Sequence, residues 1–161
     1  MSIEYSAQNI QQQLGDSWLP RIYRERILKL RTRSYHFDSP KASTRLVIQH
    51  TLLGVELKLG RKRLLCPDLA TARYLSVFAR IGCQDVALPY DITKISHLAD
   101  ELESSWYRML LLADQEGKEE STRFKGRLRG LLLAKIQQEI LEAGAGTRVP
   151  EFRQHTKQRQ K

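Results

Sequence analysis

Hydrophobic residues return along this chain at two periods, and the switches between them divide it into elements. Ser6–Leu14 is Gln-rich and predicts a short helix, ending at Gly15, within a polar lead-in over residues 1–19. Asp16, Ser17 and Pro20 then supply the start signals of a second helix. Ile22, Tyr23, Ile27 and Leu30 recur at helical spacing and predict that it runs over Arg21–Arg33. After a Ser39–Ser43 loop the period becomes two. Leu46 and Ile48 alternate with polar residues over 45–50. Val55, Leu57 and Leu59 alternate with Glu56 and Lys58, and residues 63–66 return after a turn at Gly60–Lys62. This pattern predicts a three-stranded antiparallel meander.

The helical period then resumes. Leu69, Ala72, Leu75, Val77, Phe78 and Ile81 give a helix over 69–81, opened at Pro67-Asp68 and capped by Gly82. Val86–Leu88 reads as a short fourth strand. Asp91 is an N-cap for the longest helix, over 92–114, whose stripe is Ile95, Leu98, Leu102, Trp106, Met109 and Ala113. A last helix over 121–143 places Phe124, Leu128, Leu132, Ile136 and Ile140 four apart on one face. The expected architecture is a single α+β domain over residues 20–146. It has a small, mainly antiparallel sheet of three or four strands packed with three or four helices. A flexible tail is expected over Thr147–Lys161, polar and rich in basic residues.

Charge changes this picture more than composition does. The 161 residues include 27 Lys and Arg against 18 Asp and Glu, a net of +9. The tail carries five basic residues and one acid, so +5 belongs to the rest. An excess of this size points to a polyanionic partner. The basic residues gather on the second helix, the hairpin turn, the start of the last helix, and the tail. Arg123, Lys125, Arg127 and Arg129 stand in the first turns of their helix, where they oppose its dipole. Gly126 and Gly130 beside them leave room for a close approach. The expected function is non-catalytic binding of nucleic acid, RNA or DNA, through phosphate contacts. The candidate residues are Arg21, Arg24, Arg31, Arg61, Lys62, Arg63, Arg123, Lys125, Arg127 and Arg129. A protein–protein adaptor docking on an acidic partner surface is the alternative.

Catalytic motifs are sparse. Glu56-Leu57-Lys58, followed by a hairpin, a helix and a strand, resembles the E-x-K half of restriction-endonuclease-like nucleases. That resemblance implies a metal-dependent nuclease in which Glu56 and an upstream acid hold Mg²⁺ and Lys58 polarises the phosphate or the attacking water. No acid lies between Lys41 and Val55, so Asp38 is the nearest candidate. His36, His50, His97 and His155, with Cys66 and Cys83, lack the spacing of a metal site, and no cofactor is expected. The acids from Asp100 to Glu120 read as a solvated face. No secretory leader or bilayer-length apolar run is seen, so a cytoplasmic protein away from membranes is expected.

Overall fold

The computed structural model describes residues 2–36 and 46–146. Asp38, the loop at 39–43 and the tail at 147–161 lie outside them. The fold is α+β, and the described residues form four long helices, one short helix and two antiparallel sheets.

The chain opens on α1 (Ile3–Leu14). Ser2 caps it by accepting the Tyr5 amide proton, and Ala7, Ile10 and Leu14 enter the core. The helix within the expected lead-in is therefore longer than predicted and packs against α4 (Ile92–Glu116) and α5 (Thr122–Ala143). Full burial of an Ile or Leu side chain contributes about 1.5–3 kcal/mol. A residue pair such as Ile10 and Leu14 is thus enough to seat this helix.

The second predicted helix is corrected at its C-terminal half. Only α2 (Leu19–Ile22) and a π-turn over Tyr23–Ile27 form. The Leu28 amide reaches back five residues to the Tyr23 carbonyl, at 2.9 Å. Its buried face is Leu19, Ile22, Tyr23 and Ile27. Beyond Leu30 the helical stripe would need an apolar residue at 33 or 34, and Arg33 and Ser34 stand there. The chain turns instead and extends as β1 (Thr32–His36).

β1 pairs with β5 (Asp85–Pro89) in a two-stranded antiparallel ribbon, with Ser34 opposite Ala87. The strand expected at 86–88 thus exists, but it joins this ribbon and not the meander. Val86, Ala87, Leu88 and Pro89 are all buried. The meander itself is β2 (Leu46–Thr51), β3 (Gly54–Leu59) and β4 (Lys62–Cys66). Leu46, Ile48, Val55, Leu57, Leu59, Leu64 and Cys66 face inward. The other face carries Val47, Gln49, Glu56, Lys58, Arg63 and Leu65 outward.

α3 (Leu69–Ile81) lies between the meander and α4, and packs on both. Asp68 caps its start through the Thr71 amide, and Gly82 ends it at φ +96°, a left-handed conformation that suits glycine. Its core residues include Tyr74, Leu75, Phe78 and Ile81. Leu69, expected on the apolar face, is instead exposed. Tyr23 and Phe78 meet edge to face, with centroids 5.7 Å apart. Among the described residues, every buried side-chain nitrogen and oxygen has a hydrogen-bond partner.

Candidate nucleic-acid interface

Of the acids expected to form a solvated face, Glu119 and Glu120 are exposed, and Asp100, Glu101, Glu103, Asp114 and Glu116 also make contacts within the fold. Arg73 on α3 reaches both Asp100 and Glu103 on α4, the latter at 2.6 Å. These two hydrogen-bonded carboxylates raise its already high pKa further. Glu101 holds Arg26 at 2.6 Å and His97 at 3.1 Å. Glu116 accepts from Asn9, and Asp114 pairs with Arg129 at 2.8 Å. The acidic residues of α4 therefore brace α1, α3, α5 and the π-turn.

This division of charge decides which basic residues remain available. Arg21 sits between Asp16, at 3.0 Å, and Glu25, at 2.9 Å. The hydrogen bond to Glu25 raises its pKa and lowers that of the carboxylate. Arg24 pairs with Glu139 at 3.2 Å, and Glu139 also accepts from the Trp18 indole. Arg63 lies 3.8 Å from Glu56. Of the ten candidate cations, Arg21, Arg24, Arg63 and Arg129 thus have carboxylate partners within the chain. Among the described residues, Arg31, Arg61, Arg123, Lys125 and Arg127 have none within salt-bridge distance. Exposed pairs of this kind contribute about 0–1 kcal/mol and yield readily to a better partner. They still lower the field that an approaching phosphate meets.

The remaining cations do not form one face. Lys125 stands at the C-terminal end of α4, where its stem occupies the space beside Gly117 that a Cβ would need. Arg31 and Arg33 stand at the opposite end. Lys94 and Asp114 mark the two ends of α4, about 30 Å apart at 1.5 Å per residue. Gly126 and Gly130 face open space, with no heavy atom of the described residues within 4 Å of a built Cβ. They serve no close approach within the fold.

The best-formed cationic surface is one that a helical reading of residues 31–35 hides. In a strand, residues two apart share a face. Arg31 precedes β1 and its carbonyl accepts the Tyr90 amide at 3.2 Å, which continues the ladder. Arg31, Arg33 and Tyr35 therefore line up on one side, and Thr32 is buried on the other. The Arg31 and Arg33 guanidiniums lie 5.4 and 6.0 Å from the centre of the Tyr90 ring. Tyr90 is 43% exposed. Tyr35 is half-buried. Burial raises its pKa first, the nearby Cys66 adds to this, and Arg33 opposes it. A groove of about 390 Å³ begins beside this surface, walled by Leu30 and Leu98 and rimmed by Arg26, Lys94 and His97.

No known protein family, curated protein or solved structure matches this chain. The surface must be judged on its own chemistry. The Arg31 and Arg33 guanidiniums, which have no carboxylate within salt-bridge distance among the described residues, supply phosphate-binding forks. The Tyr90 ring beside them is exposed enough to offer a base a stacking surface. At the far end of the ribbon His36 Nδ1 lies 2.7 Å from Asp85, so the positive character is concentrated toward Tyr90.

The E-x-K pair has other partners. Glu56 accepts from Gln49 at 2.8 Å across the β2–β3 rung and is approached by Arg63. Lys58 points outward from the same strand. Among the described residues no three His, Cys, Asp or Glu side chains converge on a possible metal position. Asp38 lies outside the described residues. Also among the described residues, no helix is long and apolar enough to cross a membrane. Both cysteines are buried, and burial pushes the Cys66 thiol up to about 11 and the Cys83 thiol to about 12. Neither is an activated nucleophile.

Proposed function

We propose that this protein binds nucleic acid without catalysis, and that Arg31, Arg33 and Tyr90 form the centre of the contact. The observation that carries the reading is the approach of two arginines, without a carboxylate partner among the described residues, to within 5.4 and 6.0 Å of one exposed tyrosine ring. Phosphate neutralisation by arginine supplies affinity, and the aromatic ring gives an unpaired base a platform. Lys94, near the start of α4, extends the positive surface, whereas Arg26 on the groove rim is neutralised by Glu101. Arg61, Arg123, Lys125 and Arg127 supply long-range attraction from elsewhere on the molecule.

The test is a fluorescence-anisotropy titration with short labelled RNA and DNA, single-stranded and duplex, at several salt concentrations. The expected result is binding tighter than about 1 mM at low salt, weakening steadily as salt rises. Weaker binding, or an affinity independent of salt, contradicts the proposal.

A further inference from the structure

The hairpin joining β2 to β3 ends in two leucines that the fold does not use. Leu52 is 105% exposed and Leu53 83%. Their turn is held together by the neighbouring Thr51. Its hydroxyl accepts the Leu53 amide proton and donates to the Gly54 carbonyl, both at 3.1 Å. Gly54 then takes up a positive φ of 134°. Nothing in this turn requires an apolar side chain at either tip position, and a polar residue would leave water undisturbed.

The apolar surface continues from the tip down the outward face of the meander. Leu65 is 54% exposed and Val47 39%. The Leu65 side chain passes 3.8 Å from the position of a Cβ built on Gly54, so it adjoins the turn. On the same face stand Lys58 and Arg63, opposite one another in the β3–β4 register, with Val47 across from Lys58. Apolar and cationic groups are thus interleaved on one sheet face, and among the described strand residues Glu56 is its single acid.

We infer that the Leu52–Leu53 tip and the outward face of β2–β4 dock onto another protein that presents an apolar depression rimmed by carboxylates. Charge complementarity selects this occupant. A second copy of this chain is a poor fit, because its own acids on α4 are engaged in internal ion pairs and it carries +9 overall. Nucleic acid would leave the leucines in water. A bilayer entered tip first would leave Val47, Leu65 and the cations beside them uncovered, since they lie along the strands behind the tip. This surface is separate from Arg31, Arg33 and Tyr90, so the inference does not depend on nucleic-acid binding.

The test places the photocrosslinking residue p-benzoylphenylalanine at position 53 of the full chain, in cells that normally make it. The expected adduct is a heterologous protein. That protein is then purified and titrated against the unmodified chain. L52S/L53S is expected to weaken the complex at least tenfold, K58E/R63E at least fivefold, and R31A/R33A to leave it unchanged. L52S/L53S, or L52S alone, should unfold at the wild-type temperature, because Leu52 is fully exposed and Leu53 largely so. Adducts only to nucleic acid, to lipid or to a second copy overturn the inference, as does no adduct. Undiminished affinity of L52S/L53S overturns it too. Sedimentation with phosphatidylserine–phosphatidylcholine vesicles that is lost in L52S/L53S assigns the tip to membranes and has the same consequence.

Discussion

The Tyr23 hydroxyl accepts the Ala87 amide proton at 2.9 Å and donates to the Gly144 carbonyl at 2.5 Å. The Tyr74 hydroxyl donates to the Ala87 carbonyl. Two tyrosines thus satisfy both backbone groups that Ala87 turns away from β1, and they close the outer edge of β5. Removing the hydroxyl in Tyr23→Phe strands a buried amide and is expected to cost about 1–3 kcal/mol. Urea unfolding measures it. Tyr23→Phe and Tyr74→Phe flank one residue, so their combined effect should depart from the sum of the two.

The same region predicts a loss of stability in alkali. Burial raises Tyr23 from 10.0 to about 12, Cys66 from 9.0 to about 11 and Cys83 from 9.0 to about 12. A raised folded-state pKa means the folded chain keeps protons that the unfolded chain has lost. The stabilisation is therefore complete below about pH 9 and is lost as pH rises through 11 and 12. Unfolding midpoints between pH 8 and 11 should fall, and Cys83→Ala should flatten the slope. A disulfide-exchange reagent at pH 8 should label both thiols only on unfolding.

Arg73 joins α3 to two carboxylates of α4. Arg73→Met is expected to destabilise by about 1–2 kcal/mol, since hydrogen bonds to charged groups exceed neutral ones but this site is partly solvated. Asp100 is more exposed than Glu103, 65% against 32%. Glu103→Gln should therefore cost more than Asp100→Asn in thermal denaturation.

Gly126 and Gly130 lie within the continuous helix α5, and among the described residues nothing stands within 4 Å of a Cβ built at either. Each should accept alanine with a gain of about 0.5–1 kcal/mol, from the reduced entropy of the unfolded chain and the better helix propensity. Chemical denaturation of Gly130→Ala gives the value. A loss of stability would mean that this turn is not the open helix described.

Much of the architecture is readable from hydrophobic period alone. The meander and the helices expected over 69–81, 92–114 and 121–143 follow from it, and residue type adds the caps at Asp68, Gly82 and Asp91. The interface is not readable in this way. Residues 22–30 carry a helical stripe, and a helical reading extended over Arg31–Arg33 would make Arg31 and Arg33 point apart. Only pairing with β5, which is remote in sequence, extends this segment and brings both arginines to Tyr90. The signal within reach was the failure of the stripe after Leu30. Likewise, a count of acids on α4 does not reveal that Arg26, Arg73 and Arg129 approach them from other elements. Net charge therefore overstated how many arginines remain available, Arg21 and Arg24 among them.

The central claim is that Arg31, Arg33 and Tyr90 form the nucleic-acid contact. It is tested most directly by comparing salt slopes of single-strand binding for wild type, R31A/R33A, Y90A and R123A/K125A/R127A. Two lost phosphate contacts should reduce the slope for R31A/R33A by about 1.4, with at least a tenfold loss of affinity at low salt. Y90A should lose affinity at an unchanged slope, because stacking releases no counterions. The triple variant on α5 should have the smaller effect. Full binding by R31A/R33A, or loss confined to the α5 variant, would contradict the account.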